Sequence, residues 1–160
     1  MSLKIAVFWA AMALSSYVQG TQSRPDFSGR WKLNIAETEF PGARPSSETF
    51  SVVRTVQQEP RELRLKIERV SNGQRSGFNF VTIPIGGEPH VSDAAGIITA
   101  EWRAETLEFK YLYNPGTERQ SERTEEWTLS VDGRKLFDQE WVKRPDGHEL
   151  RYKVVFDKQP

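Results

Sequence analysis

Three turn signals, Asn72-Gly73, Asp132-Gly133 and Asp146-Gly147, interrupt runs of alternating apolar and polar residues, and they constrain this chain more than any other feature. Asn-Gly and Asp-Gly supply the positive φ angles of tight hairpins, so each signal joins two antiparallel strands and sets which residues face one another. Because side chains alternate across a strand, a slip of one residue turns a whole apolar set to the wrong face. As a type I′ turn, Asn72-Gly73 sets Ser71 opposite Gln74, Ile67 opposite Phe78 and Leu65 opposite Phe80. A two-residue loop at Asp146-Gly147 sets Pro145 opposite His148, Trp141 opposite Tyr152 and Phe137 opposite Phe156. At Asp132-Gly133 a two-residue loop would place Trp127 opposite Asp138, whereas a bulged three-residue loop places it opposite Phe137, and the apolar match favours the bulge.

No stretch after residue 21 keeps a helical apolar period, while strict alternation recurs between Gly, Pro, Asn and Asp. The chain reads as all-β, with strands expected near 29–35, 48–57, 62–70, 76–83, 97–103, 107–114, 120–130, 135–143 and 149–157. The short helical candidate is Ile35 to Phe40, stopped by Pro41-Gly42. The registers above define one inward face holding Ile98, Ala100, Trp102, Leu107, Phe109, Tyr111, Tyr113, Trp127, Leu129, Phe137, Trp141, Tyr152, Val154 and Phe156. The outward face carries Glu108, Lys110, Glu126, Thr128, Asp138, Glu140, Arg151 and Lys153, with Leu112, Leu136 and Val155 as apolar exceptions. With no helix to cover it, such a meander must curl on itself. An antiparallel up-and-down barrel of eight to ten strands is expected, with a flattened sandwich as the alternative.

The first twenty residues combine an early Lys4, an apolar run from Ile5 to Leu14 and a small-residue exit at Gly20, the pattern of an export signal. The run is about ten residues, short of the ~20 that span a bilayer. Residues 21–160 are then a single domain, and no stable membrane insertion is expected once the signal is gone. The chain has 22 Lys+Arg against 22 Asp+Glu, a balance that gives no footing for nucleic acid. It has no cysteine, which excludes disulfides, thiolate nucleophiles and Cys-ligated metals.

The segment Phe27 to Asn34, FSGRWKLN, with Gly29 and Trp31 on the first strand, resembles the opening of the lipocalin and calycin superfamily. The chain is similar to small secreted bacterial lipocalin-like proteins in that segment, in Trp127 to Leu136 and in Val155 to Gln159. The resemblance implies a barrel whose strand-one Trp31 plugs the closed end beneath a basic side chain, for which Arg151 and Lys158 are candidates. The opening also resembles that of the intracellular fatty-acid-binding proteins. That family carries a two-helix lid for which Asn34 to Ser47 is too short, and an inward Arg-x-Tyr pair where this chain has adjacent Arg151-Tyr152.

Polar residues on the inward face attract attention, because a charge in an apolar lumen is costly unless paired or wetted. These are Arg54, Arg123, Glu125 and Gln139. Two readings stand. In one, they anchor the head of a small, mostly apolar ligand inside an aromatic cup built from Trp102, Phe109, Tyr111, Tyr113 and Tyr152. In the other, Arg123 and Glu125 pair at a wet rim and the aromatic residues fill the interior. His90 and His148 lack partners at ligand spacing, so no metal and no cofactor is expected. No nucleophile elbow, zinc-protease or phosphate-loop motif is present. An exported carrier is therefore expected. The alternatives are a solid-cored interaction module using Leu112, Leu136 and Val155, and an enzyme using Glu125 or His90.

Overall fold

The computed structural model describes residues 24–92 and 96–160. The expected export signal lies outside these residues. The described chain forms one antiparallel sheet of ten strands: β1 (Gly29–Leu33), β2 (Phe50–Gln58), β3 (Glu62–Ser71), β4 (Gln74–Pro84), β5 (His90–Ser92), β6 (Gly96–Arg103), β7 (Thr106–Tyr113), β8 (Ser121–Leu129), β9 (Lys135–Lys143) and β10 (Glu149–Gln159). Neighbours in sequence are neighbours in the sheet except β4 and β5, which form its two edges, and β1 pairs with β10 as well as with β2. This is the expected up-and-down meander, curled so that its two edges approach. Past the end of β4, Ile85 bridges to Ala100 of β6, and the N–H groups of Gly86 and Gly87 donate to the Ala100 carbonyl at 2.8 and 2.9 Å. Strand β5, which lies between the strands expected at 76–83 and 97–103, is the addition to the nine expected strands.

One end of the barrel is solid. Phe27, Trp31, Leu107 and Trp127 are fully buried there, packed with Leu63, Leu65 and Ile83. The Trp31 indole N–H donates to the Phe27 carbonyl at 2.8 Å, and the Lys158 ammonium lies 5.1 Å from the Trp31 ring centre. Lys158, and not the exposed Arg151, is thus the cation over the plug. Gly29 permits that approach, since a side-chain carbon there would stand 2.9 Å from Lys158 Cε.

No helix forms at residues 35–40. Asn34 instead closes a single turn, accepting from the Glu37 and Thr38 N–H groups at its side-chain and main-chain oxygens, each at 3.0 Å. The backbone then lies along β10, where the Glu39 N–H donates to the Lys153 carbonyl at 2.8 Å and the Val155 N–H donates to Thr38 Oγ1 at 3.0 Å. Tertiary hydrogen bonds to β10 thus replace the i→i−4 bonds that a helix would need. They also bury Val155, which was expected to be exposed.

The turns decide the rest. Asn72-Gly73 behaves as expected, with φ of 49° and 78°, Ser71 opposite Gln74 and Ile67 opposite Phe78. A bulge between Leu65 and Ile67 then sets Leu65 opposite Val81 and not Phe80. The other two turns correct the expected registers. At Asp132-Gly133 the loop runs from Val131 to Arg134, closed by the Ser130 N–H on the Lys135 carbonyl at 2.9 Å. Asp132 Oδ1 holds it, accepting from Ser130 Oγ at 2.6 Å and from the Arg134 N–H at 3.1 Å. Trp127 therefore faces Asp138. At Asp146-Gly147 the loop takes three residues, with the Arg144 N–H on the His148 carbonyl at 2.9 Å and Gly147 at φ 82°. Trp141 therefore faces Arg151, and Phe137 faces Val155. The two one-residue differences cancel across β9. Strands β8 and β10 keep their expected faces, while β9 alone is inverted: Leu136, Asp138 and Glu140 point inward, and Phe137, Gln139 and Trp141 point outward. Burial of both Leu136 and Val155 removes two of the three residues that suggested an apolar docking patch.

Candidate functional site

The inversion of β9 assembles a buried ionic network midway along the barrel. Arg54 enters from β2, Arg123 and Glu125 from β8, and Asp138 and Glu140 from β9. Exposure is 4% at Arg54, 2% at Glu125, 0% at Asp138 and 3% at Glu140. Arg54 Nη1 donates to Asp138 Oδ2 at 2.7 Å and lies 3.8 Å from Glu125 Oε2, while its Nη2 lies 3.9 Å from Glu140 Oε1. The Arg54 guanidinium is also held between aromatic rings, 4.4 Å from the centre of Phe156 and 5.1 Å from that of Trp127. Arg123 Nη2 bridges Glu125 at 2.6 Å and Glu140 at 2.7 Å. The Trp127 indole donates to Glu125 Oε2 at 2.9 Å.

Two guanidinium groups thus meet three carboxyl groups, and their protonation is uneven. Burial and the adjacent Glu125 charge push the Asp138 carboxyl well above its usual range, outweighing the attraction of Arg54. Burial also works against the Glu125 charge, but Arg123, Arg54 and the Trp127 donor together hold it below the usual range. The network therefore drives the Asp138 carboxyl toward its neutral form and Glu125 toward its charged form. Burial raises the phenols of Tyr111 and Tyr152 as well, so both stay protonated donors. Oxygens of Glu125, Asp138 and Glu140 lie within 4.8 Å of one another, the spacing of a metal site. Here the positive charge among them is supplied by Arg54 and Arg123.

The structure brings together most of the residues singled out in the sequence. Phe109 forms the fully buried floor, its ring centre 4.6 Å from that of Trp127. Tyr111 lies against the network, with the Arg123 guanidinium 5.6 Å from its ring centre, and stacks on Tyr113 at 6.0 Å and 4°. On the other side of Tyr111 from the floor, Arg123, Tyr113 and Tyr152 are only half-buried. Two expected members are elsewhere. Trp102 lies toward the solid end, stacked on Phe27 at 5.9 Å with Arg24 over its ring at 5.3 Å. Gln139 is on the outer surface with Glu126, Phe137 and Lys153, because β9 is inverted.

Asp138 and Glu140 were missed as inward residues, since alternation with Phe137 and Trp141 favoured the opposite face. Charge balance was the available signal. An inward face with Arg54 and Arg123 but only Glu125 to oppose them leaves a cation buried without a partner. Placing Asp138 and Glu140 inward removes that deficit.

No family model matches the sequence, and no curated protein matches it. Among solved structures, the fold is similar to that of apo lipid binding protein 8 of Caenorhabditis elegans, with a TM-score of 0.55, 14% identity, and coverage of 83% of this chain and 95% of that one. Human cRBP IV gives a TM-score of 0.49 with 15% identity, covering 84% of this chain and 99% of that one. The first likeness is one of fold.

Proposed function

We propose that this chain is an exported, lipocalin-like carrier that holds a small, mostly apolar molecule in the open half of its barrel. The observation that carries this reading is the unequal filling of the inward face. Trp31, Leu107, Phe109 and Trp127 are fully buried at one end, while Phe50, Ile67, Tyr113 and Tyr152 are only half-buried beyond the ionic network. Half-wet aromatic and aliphatic side chains lining a concave sheet gain by desolvation when an apolar molecule covers them. The barrel fold shared with a structure named as a lipid binding protein supports the same reading. Export rests on the pattern of residues 1–20. Catalysis is less well supported, because Glu125, the strongest acid-base candidate, is engaged by Arg123 and by the Trp127 indole.

The test is a titration of purified chain, stripped of copurifying lipid, with the uncharged dye Nile red. One saturable site with blue-shifted emission is expected, weakened about tenfold by Ile67→Glu, which puts a charge on the proposed wall. Absence of saturable binding, or equal binding by the variant, would remove the proposal.

A further inference from the structure

We infer that the polar end of the molecule held in the barrel is an uncharged hydrogen-bonding group, a hydroxyl or carbonyl, and not a carboxylate. This rests on the binding reading above. A carboxylate site needs a buried cation with charge to spare, and neither arginine has it. Arg54 faces Asp138 at 2.7 Å, Glu125 at 3.8 Å and Glu140 at 3.9 Å, and Arg123 faces Glu125 at 2.6 Å and Glu140 at 2.7 Å. Two cations stand against three carboxyls, so an added anion meets no positive charge that is not already opposed. In so little water the repulsion is poorly screened.

The hydrogen-bonding capacity left over is of both kinds. Arg123 Nε is a buried donor without a partner, and Glu140 Oε2 is a buried acceptor without one. Arg123 itself remains 26% exposed in its side chain, on the half-wet side of the network. A hydroxyl carries both an acceptor and a donor, matching the two kinds of unmet capacity, and a carbonyl carries an acceptor. A carboxylate can answer only the donor, leaving Glu140 facing a second negative oxygen. A buried polar atom without a partner costs free energy that a suitable head group recovers. This fits an alcohol-like or carbonyl-bearing apolar molecule.

The experiment compares decanol, decanoate and decylamine at pH 8 as competitors of Nile red on the whole chain. Decanol is expected to bind about tenfold more tightly than decanoate, equivalent to about 1.4 kcal/mol. Glu140→Gln, with folding checked by circular dichroism, removes one opposing charge and should strengthen decanoate about tenfold. Decanoate binding as well as decanol, decylamine binding best, or no gain for decanoate in the variant would each overturn the inference while leaving the carrier reading intact. Failure of the dye itself to bind would remove both.

Discussion

Replacing Arg54 with methionine deletes the cation around which Asp138, Glu125 and Glu140 are arranged at 2.7, 3.8 and 3.9 Å. Methionine keeps much of the packing against Phe156 and Trp127, so the loss is chiefly electrostatic. Breaking a buried ionic group by removing one partner costs about 3–5 kcal/mol, and loss of the cation–π contacts adds up to ~1 kcal/mol. At about 2–4 °C per kcal/mol for a chain near this size, the melting temperature should fall by roughly 10 °C. The pH dependence separates this cause from poor packing. In the parent, Glu125 titrates below its usual range, so its contribution is present at neutral pH and is lost only as pH falls through that lowered value. Asp138 titrates above its usual range, so its contribution is present at low pH and fades as pH rises toward that raised value. Without Arg54 both carboxyls move upward, and the defect should be largest near pH 7.5 and shrink toward pH 4.5. Urea unfolding followed by tryptophan fluorescence at the two pH values reads this directly. A loss under about 1 kcal/mol, or one equal at both pH values, would refute the reasoning.

Asp138→Asn provides a sharper check: burial and the Glu125 charge favour the neutral form of this carboxyl, so an uncharged amide that still accepts from Arg54 should cost less than about 1 kcal/mol in the same unfolding assay. Gly77→Ala places a side-chain carbon 2.0 Å from the Ile67 carbonyl oxygen at a φ of +129°, so it should lose at least about 1–3 kcal/mol by thermal melting. Thr38→Val removes the acceptor of the buried Val155 N–H and should cost about 1–3 kcal/mol, with faster hydrogen exchange at Val155. Lys158→Met leaves the Trp31 plug in place but removes the cation over it, and about 0.5–1 kcal/mol should be lost together with a change in tryptophan emission.

The inward phase of β6, β7 and β10 was legible because each carries apolar residues at alternate positions that only one facing can bury, and Trp127 and Leu129 set that of β8. Ile98, Phe109, Trp127 and Phe156 are buried as expected. Arg54, Arg123 and Glu125 were legible for the same reason, as charges in phase with apolar neighbours. Strand β9 was not, since Leu136-x-Asp138-x-Glu140 and Phe137-x-Gln139-x-Trp141 are both plausible faces and hydropathy prefers the second. The network needed the first, to give the two arginines their counter-charges. Its turns were ambiguous too: an Asp-Gly pair supports loops of two, three or four residues, and the choice at Asp132 follows from bonds to Ser130 and Arg134.

By itself, then, the sequence determined an all-β meander with a one-sided apolar face, because turn chemistry and alternation are local and period-two burial admits few arrangements. Only the tertiary structure decided which carboxyls lie inside, that Gln139 and Trp102 stand apart from the ionic network, and that residues 34–39 bond to β10 instead of forming a helix. Those outcomes depend on charge pairing and hydrogen bonds between strands distant in sequence, such as Arg54 with Asp138, which no local pattern encodes.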